Sequence, residues 1–105
     1  MEVKEPQAPQ LGQLVRNLRG RDEGKIAVIV GIQDERFVLI ADGDKRKFDQ
    51  PKKKNVLHLE LLPRHSEEVA DSLRETGRVT NGKLRYAITK YVESQPTAEA
   101  QEKGE

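Results

Sequence analysis

The chain has 105 residues, 19 Lys and Arg against 18 Asp and Glu for a net charge of +1, two Phe, two Tyr and no cysteine. That length holds one compact domain with tails, and the missing thiols exclude disulfides, thiolate zinc sites and a cysteine nucleophile while suiting a reducing compartment. The opening MEVKEPQAPQ lacks the apolar centre of a signal peptide and no later run approaches the roughly 20 apolar residues of a membrane span, so a soluble, cytoplasmic protein is expected.

Residues 1–10 are polar and carry proline, and read as a disordered arm. QLVRNL then alternates side chains as a strand does. KIAVIVGI is β-branched throughout and too short for a helix, which predicts a buried strand. RFVLIAD follows the turn residues Asp34 and Glu35. Asp42-Gly43 is a two-residue hairpin signal, leading into a short strand KRKF. NVLHLEL sets Leu57, Leu59 and Leu61 on one face against Val56, His58 and Glu60 on the other, and Pro63 is expected to end it. Five short strands with no helix between them predict a mainly-β fold, an antiparallel sheet closed into a small barrel over residues 11–62.

The pattern changes after Pro63. HSEEVADSLRET offers Ser66 as an N-cap, acids in the first turn and Val69, Ala70 and Leu73 at helical spacing, with Gly77 as a stop. TNGKLRYAITKYV begins a second helix, capped by Thr80 or Asn81, with Leu84, Ile88 and Tyr91 along one stripe and Ala87 beside it. Helices this short are marginal alone, so residues 63–93 should form a helical hairpin packed on itself or on the barrel. Residues 94–105 are polar and read as a disordered tail.

Charge is distributed unevenly. Residues 11–65 hold 12 Lys and Arg against 8 Asp and Glu, and Lys45, Arg46, Lys47, Lys52, Lys53 and Lys54 fall within ten residues that include a single acid, Asp49. Lys52, Lys53 and Lys54 read as a loop between two strands, and such a run is either a solvated face or a nucleic-acid patch. Six mutually repelling cations are relieved by a polyanion, which favours the patch.

GRDEGKIAVIVGI, residues 20–32, resembles a KOW motif, the loop-and-strand unit of several RNA-binding ribosomal proteins and transcription factors. Downstream, DERFVLIADGDKRKFDQPKKKNVLHLEL is similar to the small barrel of the large-subunit ribosomal protein of the L-fourteen-e type and closer still to short bacterial KOW-domain RNA-binding proteins. The resemblance covers roughly residues 11–62. It implies an SH3-like barrel that touches structured RNA through Gly20, Arg21, Gly24 and Lys25 of the loop and through Lys52, Lys53, Lys54, Asn55 and His58. The ADGDKRK hairpin is shortened relative to the archaeal form, and the C-terminal helices match less closely.

The residues support the loop reading on their own terms. Gly20 and Gly24 permit positive φ and close approach of backbone N–H groups to a phosphate, with Arg21 and Lys25 supplying the cation. Asp22 and Glu23 either orient Arg21 or cap the turn. The bland alternative is that the glycines only connect two strands. His58 is an exposed polar residue or an RNA contact.

Phe37 and Phe48 are the only barrel aromatics and both read as core, which disfavours base stacking and a polyproline groove alike. The contacts expected are therefore to phosphate and 2′-hydroxyl of folded RNA. Two histidines without cysteine or ligand spacing suggest neither a metal site nor a catalytic pair. The reading is a monomeric, non-catalytic binder of structured RNA, most naturally ribosomal. It needs no cofactor, membrane or small-molecule substrate. The alternative is an SH3-like adaptor that docks a protein on its C-terminal helices.

Overall fold

A computed structural model describes residues 8–95. Strands β1 (Gln13–Asn17), β2 (Ile26–Ile32), β3 (Phe37–Ala41) and β4 (Lys52–Asn55) lead through a single 3-10 turn, Val56–His58, into β5 (Leu59–His65), and helices α1 (Glu67–Thr76) and α2 (Asn81–Ser94) follow. All strand pairs are antiparallel in the order β4-β3-β2-β1-β5. Of the two polar tails, residues 1–7 and 96–105 lie outside the described residues.

The unbroken apolar run of β2 has a physical cause: both faces of the sheet are covered. Ala27 and Ile29 join Val15, Val38, Ile40 and Leu59 in one cluster, whereas Val28 and Val30 join Leu14, Ala41 and Leu62 in another. The first cluster unites β3 with β5, which are separated by two intervening strands, β2 and β1, in hydrogen-bonding order. A sheet must coil on itself for that, and the result is the small SH3-like barrel the pattern predicts. The second cluster is completed by Val69, Leu73, Val79, Leu84, Ala87 and Tyr91, so the helices cover the outer face of β1 and β2.

Local chemistry places the helices where the sequence puts them. Ser66 Oγ accepts the Val69 N–H at 3.2 Å, and Gly77 at φ +76° closes α1 by donating to the Leu73 carbonyl at 2.9 Å. Thr80 is the cap of α2, accepting from Lys83 N–H at 3.1 Å. Asn81 does something else: its Oδ1 accepts the Phe48 N–H at 2.8 Å and ties the β3–β4 connection to the helix. The Arg85 guanidinium donates to the Gly43 carbonyl at 2.6 Å, and a Cβ on Gly43 would lie 2.4 Å from the Asn81 carbonyl oxygen. Only glycine allows that approach. In the β2–β3 turn, Asp34 Oδ1 accepts the N–H groups of Arg36 and Phe37 at 2.8 and 2.9 Å, which hold its carboxyl below the ordinary value.

Three expectations are corrected. KRKF is not a strand: Asp42 Oδ1 takes the N–H groups of Asp44 and Arg46, Phe48 N–H goes to Asn81, and the connection runs on to Pro51. The fourth strand is the lysine run itself, paired with β3 from Phe37↔Asn55 to Ile40↔Lys52. Pro63 does not end β5, because it falls where the register against β1 shifts between Gln13↔His65 and Val15↔Leu61 and no ladder N–H is required. The alternation of NVLHLEL also breaks, since Asn55 Oδ1 accepts from Leu57 N–H and winds the 3-10 turn, leaving Leu57 79% exposed while Leu59 is buried.

Candidate nucleic-acid interface

The loop between β1 and β2 is shaped by its own backbone. Asn17 gathers its two ends: Asn17 N–H and Nδ2 both donate to the Lys25 carbonyl, at 2.9 and 3.1 Å, and the Asn17 carbonyl accepts Gly24 N–H at 2.7 Å. Glu23 N–H returns to the Gly20 carbonyl and Lys25 N–H to that of Asp22. Gly20 and Gly24 sit at φ +92° and +87°, the left-handed region that side chains oppose.

These bonds divide the loop. The N–H groups of Leu18, Glu23, Gly24 and Lys25 are used internally, whereas those of Arg19, Gly20, Arg21 and Asp22 have no partner among the described residues. Four successive amides around Gly20 are thus free for an anion, and Gly24 serves to close the turn.

Strand β4 reaches the same place. Lys54 Nζ donates to the Arg19 carbonyl at 3.3 Å and would stand 3.7 Å from a Cβ on Gly20. Lys52 lies with Arg46, Asp22, Asp42 and Asn17 around a small recess between this loop and the β3–β4 connection. Asn17 Oδ1 is buried without a hydrogen-bond partner. His58 joins from the other side, its carbonyl accepting Leu18 N–H at 2.9 Å. Gly20, Arg21, Gly24, Lys25, Arg46, Lys52, Lys54 and His58 therefore gather at one end of the barrel.

Other candidates stand apart. Lys53 alternates to the opposite face of β4, where its Nζ lies 4.6 Å from the Phe37 ring centroid. The Asn55 side chain is engaged in capping the 3-10 turn. Lys45 and Lys47 surround a shallow depression in the β3–β4 connection, interleaved with Asp44 and Asp49. Asp22 is not paired with Arg21: the ion pairs among the described residues are Arg16–Glu60 at 3.2 Å and Arg74–Asp71 at 3.0 Å. No cation of the loop or of β4 is neutralised by either.

Four participants were not singled out from the sequence. Arg19 anchors Lys54 through its carbonyl, Asn17 closes the loop, and the exposed Leu18 and Leu57 flank His58. The arginines of RNLRGR were the available signal for Arg19. Nothing in the sequence marked Asn17, whose role depends on where Lys25 returns. No cluster of three or more His, Cys, Asp or Glu that could hold a metal ion occurs among the described residues.

No family model matches the chain. Curated relatives do. It is 35% identical over 78 residues to "Large ribosomal subunit protein eL14" of Hyperthermus butylicus, a match covering 67% of this chain and 80% of that protein. The chain belongs to the eL14 family. It is also 52% identical over 62 residues to the Bacillus subtilis (strain 168) protein named "Putative ribosome-binding protein YbzG", covering 59% of this chain and 84% of that one. The resemblance read from the KOW loop and the residues downstream of it is thus borne out at the level of family, and the eL14-type chain carries its loop on a five-stranded sheet followed by two helices.

Proposed function

We propose that the protein is a non-catalytic ribosome-associated factor of the cytoplasm, acting as a monomer that grips the phosphate backbone of structured ribosomal RNA with the end of its barrel. One observation carries the reading: Lys54 reaches across to the Arg19 carbonyl, so a cationic edge strand lies against four loop amides unpartnered among the described residues. Phosphate oxygens fit the amides of Arg19 to Asp22, while Arg21, Lys25, Lys52, Lys54 and Arg46 surround them with charge that no ion pair neutralises. Such contacts position without reading sequence. The printed names of the two relatives, a ribosomal protein and a ribosome-binding one, point to the same partner.

The apolar stripe an adaptor would dock through is largely taken up by the core, Leu84 and Tyr91 at 0% and 6% exposure and Ile88 half-buried against the same cluster. Sedimentation of the purified protein with large ribosomal subunits tests the proposal. Co-sedimentation at low salt should fade steeply as salt rises, since each neutralised phosphate contributes about 0.7 to 0.9 to the log–log slope. Absence of binding at low salt, or binding indifferent to salt, would refute it.

A further inference from the structure

We propose a second RNA contact at the opposite end of the β1–β5 ladder, where a cleft between β5 and α2 takes one unpaired nucleotide by stacking its base on Tyr86. The inference rests on the RNA-binding reading and extends it to a part of the fold that reading does not use. His65 pairs with Gln13 and Leu59 with Asn17, so β1 separates this cleft from the KOW loop by about 14 Å, at roughly 3.4 Å per residue.

Tyr86 is 57% exposed, whereas Tyr91 on the same helix is 6% exposed and belongs to the core. One turn further along α2, Lys90 Nζ stands 5.9 Å from the Tyr86 ring centroid, as the i, i+4 spacing dictates. Arg64 on β5 is fixed beside them: it donates to Ser94 Oγ at 2.7 Å, and its guanidinium carbon lies 5.4 Å from the Tyr91 ring centroid. Between these side chains lies a cleft of about 110 Å³, with Glu68 as its single acid. His65 lines it too, and His65 Nε2 is buried without a hydrogen-bond partner.

A nucleotide matches each part. Every base offers a π-face to the tyrosine. Lys90 and Arg64 are placed for the adjoining phosphate. An inorganic anion would leave Tyr86 unused. Inside a stem a paired base presents no free face, so the ligand is single-stranded.

The test compares two RNAs, a perfect stem and the same stem with a single-stranded tail of about six adenosines, against the parent, Tyr86→Ala and Tyr86→Phe. Tyr86 is exposed, so neither variant threatens folding. In the parent the tail should tighten binding roughly 10-fold, in keeping with the value of base–aromatic stacking. Tyr86→Phe should keep that gain and Tyr86→Ala should lose it while binding the bare stem as the parent does. An equal gain in Tyr86→Ala, or no gain in the parent, overturns the second site and leaves the loop reading intact. If the parent binds neither RNA, the RNA reading falls and takes this one with it.

Discussion

Replacing both Lys52 and Lys54 by glutamine should weaken binding to a structured RNA stem far more than replacing Lys53. The three are consecutive, yet the pleat turns Lys52 and Lys54 toward the KOW loop and Lys53 away from it, over Phe37. On duplex RNA treated as a double strand, each lost phosphate contact removes about 0.9 from the slope of log affinity against log salt. Two contacts remove about 1.8, and at 0.1 M salt that amounts to roughly 60-fold in affinity. Lys53→Gln should change the slope little, because an exposed charge on the far face is screened within about 10 Å. It removes a cation–π contact instead, worth about 0.5–1 kcal/mol of stability at an exposed site. Fluorescence anisotropy at several salt concentrations, on two stems of unrelated sequence, separates these outcomes. A slope lowered as much per lysine by Lys53→Gln as by the double variant would refute the facial argument. An unchanged slope in the double variant would refute phosphate contact altogether.

Gly24→Val should lower RNA affinity with little change in salt slope, because a Cβ there meets nothing within 4 Å and the penalty is backbone strain at φ +87°, about 1–2 kcal/mol; Gly24→Asn, which tolerates that region, should recover much of the loss in the same anisotropy assay. Leu84→Asp should destabilise by more than about 4 kcal/mol, since it buries an unpaired charge at a fully buried position. Leu84 shares its cluster with Leu14 and Val28, so amide exchange should quicken in β1 and β2 as well as in the helices. Loss of protection confined to α1 and α2 would show that the sheet holds without them.

What was legible in the sequence follows from whether an element carries its own signal. β2 and β3 announce themselves by apolar side chains, β2 because both its faces are buried, β1 by its alternation, and the helices by their caps, Ser66, Thr80 and Gly77. β4 has no such signal: it is a strand because β3 offers it a ladder, and three lysines on an edge need bury little. KRKF had the better local case, and lost it to the tertiary bond from Phe48 N–H to Asn81. The site divides in the same way. Its residue types and glycines were readable, but which lysine faces the loop depends on strand register, which the sequence leaves open once β4 is taken for a loop.

The position of the lysine run at the sheet edge joins stability to function. An edge strand exposes unpaired backbone groups that invite another strand, and lysines are a common means of discouraging that pairing. β4 would therefore profit from charge even in a protein that bound nothing. Edge protection alone, however, does not require Lys54 to be drawn onto the Arg19 carbonyl, nor four successive loop amides beside it to lie without partners among the described residues. Those features concentrate positive potential where the barrel already needs charge. The same lysines that keep a second strand from docking thereby favour a ligand whose backbone is anionic and whose recognition asks for no ladder. α2 contributes to this at a distance: through Asn81 and Arg85 it fixes the connection that carries Arg46, so the helices that complete the core also hold one wall of the site.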